Sequence, residues 1–97
     1  MSYELISGVP TYQLYVGGEW VRSSRNAVTA SENPADGALF ANVHQAGEVE
    51  TTAAIDAAHG AFRDWSEMTV AGRTTIFLDA ADQLKKKSAD IVETLIL

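Results

Sequence analysis

Side chains able to do acid–base, metal or nucleophilic chemistry are few in this chain, and their spacing does not suit them to it. The two histidines, His44 and His59, fall in different segments with no His-x-x-x-His or similar ligand spacing. His44 is expected at a strand end and His59 on the polar side of a helix, both at the surface. Glu48 and Glu50 stand two apart. On a helix that spacing sends the carboxylates to different faces, so they make a poor acid/base pair. Serines are present, but none lies in a Gly-x-Ser-x-Gly elbow. There is no Gly-x-Gly-x-x-Gly and no phosphate-loop motif. The chain has no cysteine, which removes disulfides, thiolate ligands and a cysteine nucleophile together. No catalytic, cofactor-binding or metal-binding residue is therefore assigned.

The elements that would position such groups have to come from 97 residues, enough for one small domain. A hydrophobic fraction of 46% with 21% charge is ordinary for a globular α/β chain. Net charge is -6, with four acids and two bases in residues 1–47 and nine acids and five bases in residues 48–97. Such a chain carries no basic footprint for nucleic acid or an anionic membrane. Its N-terminus lacks the basic start and apolar run of a secretory signal, and no stretch approaches the ~20 apolar residues of a membrane span. The expected location is cytoplasmic.

The period of the pattern divides the chain into strands followed by helices. Residues 1–13 are expected as an N-terminal tail and residues 14–97 as the structured part. Leu14–Val16 and Glu19–Arg22 flank Gly17-Gly18, whose freedom at positive φ suits a two-residue hairpin turn. A phosphate-cradle role for the glycine pair is disfavoured, because no helix follows it. Ala27–Glu32 reads as a third strand. Asn33-Pro34-Ala35-Asp36-Gly37 reads as a turn and Ala38–His44 as a fourth strand, with Leu39, Ala41 and Val43 on one face. The predicted fold is thus a short meander of about four strands over 14–44, then three helices.

From Glu48 the period lengthens to that of a helix. Thr51, Ala54, Ile55, Ala58, Phe62 and Trp65 form one stripe of a helix over 48–64, with Glu48 and Glu50 in the first turn where the dipole favours acids. If Phe62 is buried, Phe62→Ala costs roughly 3–5 kcal/mol. Thr69 is placed to cap a helix over 70–86 with Ile76, Phe77, Ala80, Ala81 and Leu84 on its apolar side. Lys85-Lys86-Lys87 reads as its solvated C-terminal end, and Ser88 as the cap of a third helix over 89–97. The spacing of Trp20, Trp65 and the tyrosines fits packing and cross-strand contact better than a pocket lining. The chain ends in an uncapped Thr-Leu-Ile-Leu run, the pattern of a segment cut inside a helix.

Taken in order, these pieces resemble one family. Leu14-Tyr-Val-Gly-Gly-Glu-Trp-Val21, Glu32-Asn33-Pro34-Ala35-Asp36-Gly37, Ala54 through Ser66, and Arg73 with Ile76-Phe77-Leu78 and Ala80-Ala81-Asp82 look like the N-terminal region of the aldehyde dehydrogenase superfamily. The resemblance runs from about Leu14 to the last residue. A proline and a glutamate common in the family near Thr69 and Gly72 are absent here. The resemblance implies a complete protein that oxidises an aldehyde to a carboxylic acid with NAD or NADP, through a cysteine that lies downstream. This segment would be inactive alone and would bind no cofactor. Its expected partners are the remainder of the dehydrogenase chain and further copies in a homo-oligomer, not nucleic acid or membrane. Some members hold a monovalent cation with a carbonyl at the position of Glu32, but no site is claimed here. The alternative is a free-standing α/β interaction module without catalysis.

Overall fold

The computed structural model describes residues 3–96. Six strands precede three helices: β1 Tyr3–Ile6, β2 Val9–Tyr12, β3 Leu14–Val16, β4 Glu19–Val21, β5 Val28–Glu32, β6 Leu39–His44, α1 Glu48–Glu67, α2 Val70–Lys86 and α3 Ser88–Ile96. The chain divides into two compact units with the boundary at Gly60/Ala61, inside α1.

In the first unit, four strands form a sheet in the order β1-β2-β6-β5, and β3 and β4 form a separate two-stranded sheet. Strands followed by three helices stand as expected, with six strands in two sheets where about four were read. Residues 3–12, expected as a tail, are a hairpin closed by Ser7 and Gly8, both at positive φ. The Ser-Gly pair was the available signal. Pro10 lies within β2, although proline cannot donate to a ladder. Here Pro10 sits opposite Leu5, one step from the Ile6↔Val9 pair that closes the turn. Alternate pairs of an antiparallel ladder exchange no backbone bonds, so the missing N–H is not needed at that position.

β2 then runs parallel to β6 through Thr11↔Asn42 and Tyr12↔Val43, and β5 pairs antiparallel with β6. The segment between β2 and β6 holds the β3–β4 hairpin, whose Gly17 and Gly18 have φ of 60° and 84°. Only glycine adopts both values without strain. Tyr15 and Trp20 face each other across this hairpin with ring centroids 4.8 Å apart, the cross-strand contact that their spacing implied. The turn lies close to α1: a Cβ on Gly17 would stand 3.7 Å from that of Ala57. The alanine-rich stretch of α1 permits that approach. Between β5 and β6, the Asn33 and Asp36 side chains accept from the Ala35 and Ala38 amides, and the Gly37 amide donates to the Asn33 carbonyl.

In the second unit, the end of α1 leads to Thr69, whose hydroxyl accepts from the Gly72 amide at 3.0 Å and caps α2 as expected. α1 itself continues three residues past the predicted 64. The third helix begins one residue early. The Lys87 carbonyl accepts the first bond, from Ile91, so Ser88 is already helical and not the cap. The predicted final residue, 97, lies outside the described ones. Trp65 and Phe77 meet edge to face at 6.0 Å.

The apolar stripes are where the sequence puts them, but they are not buried. α2 and α3 contain no buried residue, and Ile55, Phe62, Phe77 and Leu84 are each more than 60% exposed. A helix buries its stripe only against another layer. Among the described residues, the buried ones are Ala41, Thr11, Ser23, His44 and Glu50.

Candidate functional site

Four of those five buried residues are polar, and three of them gather around one turn. The connector between β4 and β5 folds back at Ser23–Asn26, where the Asn26 amide donates to the Ser23 carbonyl at 2.9 Å. Two side chains hold successive amides of this turn. The Ser23 N–H donates to Nδ1 of His44 at 3.2 Å, and the Ser24 N–H donates to Oε1 of Glu50. His44 is the last residue of β6 and Glu50 lies in the first turn of α1. The turn is thereby fastened to the short junction that joins the sheet to the helix.

Glu50 also caps its own helix. The Gly47 carbonyl accepts from Thr51, which makes Gly47 the N-cap, and the Gly47 N–H donates to Oε2 of Glu50 at 2.9 Å. A carboxylate three residues into the helix that reaches back to the cap amide is half of a capping box. The bond from the Ser24 amide, Glu50's own amide, the Ser24 hydroxyl and the Gly47 amide together hold the Glu50 carboxyl down from 4.5 to about 2, against a smaller opposing effect of desolvation.

His44 is only 4% exposed, which corrects its expected place at the surface. It ends an inner strand, and its ring meets the Ser23 amide of the turn. His59 is exposed, as expected. Glu48 is exposed and Glu50 buried, so the two carboxylates do separate. Neither histidine nor glutamate role was legible as a bond, because both partners are backbone amides distant in sequence. A Glu placed three residues after Gly47 was the one available local signal.

Glu32 is an exposed residue at the end of β5, beside a register shift. Lys85, Lys86 and Lys87 are exposed at the end of α2. Among the described residues, no three His, Asp or Glu side chains come together as metal ligands. No described helix is long and apolar enough to cross a membrane. The N-terminus of α1, where a phosphate would dock, is already filled by the Glu50 carboxylate, and that of α2 by the Thr69 hydroxyl. The arrangement can hold backbone in place.

Comparison with known proteins gives the chain its context. The family model described as "Aldehyde dehydrogenase family" matches residues 20–97. A vanillin dehydrogenase of Corynebacterium glutamicum is 31% identical over 90 residues, which cover 93% of this chain and 19% of that protein. An aldehyde dehydrogenase of Vibrio cholerae is 29% identical over 86 residues, covering 89% of this chain and 16% of that protein. The chain thus spans less than a fifth of the length of these curated relatives. It belongs to the aldehyde dehydrogenase family.

Proposed function

From this membership, we propose that the chain is the N-terminal segment of an enzyme that oxidises an aldehyde to a carboxylic acid with NAD or NADP, and that alone it is inactive. The family match over residues 20–97 carries the reading. The absence of any cysteine supports the second half of it, since the family's chemistry starts with cysteine attack on the aldehyde. The segment's role is structural. Its strands build a small sheet, and its helices offer apolar stripes to the rest of the dehydrogenase chain. The whole protein is a cytoplasmic homo-oligomer on this reading. The two relatives carry different labels, one naming vanillin and one only an aldehyde, so the substrate is kept at the level of an aldehyde.

The test is a chimaera in which this chain replaces the matching residues of the Corynebacterium glutamicum enzyme. Nicotinamide reduction by the chimaera, with none from the same enzyme lacking the segment and none from the free chain, is the expected result. A chimaera that folds but stays inactive, beside a free chain that is a cooperative monomer, favours the interaction module instead.

A further inference from the structure

The grip on the Ser23–Asn26 turn depends on the protonation state of one of its two holders. Nδ1 of His44 accepts a hydrogen bond from the Ser23 amide, so in the folded chain it carries no proton, and the ring is the neutral Nε2–H tautomer. A proton added at Nδ1 makes this atom a donor facing another donor. At a site 4% exposed, water does not readily replace the lost bond. The other holder behaves differently: Glu50 remains ionised down to about pH 2, so its bond to the Ser24 amide outlasts any change at His44.

We propose that His44 and Glu50 form a clasp on two consecutive amides of this turn, and that protonation of His44 opens one jaw, freeing the Ser23 amide while Ser24 stays held. The ionisable groups nearest in the chain to this junction are Glu48 and Glu50 in the first turn of α1, Arg22 and Arg25 on the connector, and Tyr12 on β2 beside Val43, while Glu32 lies at the far end of β5 and Asp56 and His59 further along α1. β5 places the uncharged Val28 opposite His44. Arg22 is engaged elsewhere, in a two-bond pair with Glu4 at 2.6 and 2.7 Å. His44 is then the group whose change of charge bears on the Ser23 amide. The sign follows from linkage. The clasp uses the neutral ring, so opening takes up a proton and falling pH favours the open form. The consequence is local: the β3–β4 hairpin loses one of its two anchors to the sheet–helix junction.

Amide exchange of the nitrogen-15-labelled chain, corrected for the intrinsic effect of pH, reads this directly. On acidification from about pH 8 to about pH 4, over which protonation of the His44 ring is followed directly, the Ser23 amide should exchange about five-fold faster or more, the worth of one hydrogen bond, and the Ser24 amide should not. The change should vanish in His44→Gln and persist in His59→Gln. In the unmutated chain, the Ser23 amide and the His44 ring resonances should share one midpoint. A Ser23 amide unchanged across the range, or one that follows His59, or one whose midpoint differs from that of the His44 ring, overturns the proposal.

Discussion

Phe62→Ala should have two very different costs, depending on whether the chain is free or in place within a dehydrogenase. In the free chain, Phe62 is 65% exposed, so only about a third of its surface is covered. Full burial of such a side chain contributes roughly 1.5–3 kcal/mol, and a third of that is about 0.5–1 kcal/mol. No large cavity can form where no wall surrounds the ring. Within the chimaera, where the proposed function has the stripe of α1 pack against the rest of the chain, the cost should rise to roughly 3–5 kcal/mol. Native-state amide exchange across α1 gives the opening free energy in both settings without requiring one global transition. A loss above ~2 kcal/mol in the free chain would mean that the face is already covered, and the reasoning from exposure would fail.

Further outcomes follow from individual residues. The Glu50 carboxyl is depressed in the fold, so its stabilisation is full above pH 4.5 and lost as pH falls toward about 2. In Glu50→Gln, urea midpoints should be lower at neutral pH and should lose that part of the acid dependence. An unchanged pH profile would count against the bonds described. Thr69→Ala removes the cap on the Gly72 amide and should cost about 1 kcal/mol, read as reduced helicity and faster exchange at the start of α2. Gly18→Ala forces a φ of 84° on a residue with a Cβ and should cost about 1–2 kcal/mol, seen as a lowered urea midpoint with the helices' own exchange unchanged.

What the residues disclosed and what they hid divide along the range of the interactions. The hairpin at Gly17-Gly18, the turn at Asn33–Gly37 and the limits of α2 are set by near neighbours, and each stands where the pattern implied. The parallel pairing of β2 with β6 joins residues separated by the whole β3–β5 segment, and nothing local announces it. The first hairpin turns on Ser7 at positive φ, a conformation that serine's type does not announce, and Pro10 is accommodated within its second strand. His44 and Glu50 were misread or half-read for the same reason. A histidine that accepts from a backbone amide looks no different in sequence from one in solvent. The apolar stripes were legible as faces, but burial needs a second layer, and periodicity cannot supply that layer.

The central claim, that the helices of this segment belong against the rest of a dehydrogenase, is tested most directly by hydrogen exchange of α2 and α3 in the free chain and in the chimaera. Fast exchange of Val70–Ile96 in the free chain, slowed strongly in the chimaera while the sheet of residues 3–44 changes little, is the predicted result. Helices already as protected as the sheet in the free chain, with no further slowing in the chimaera, would contradict it.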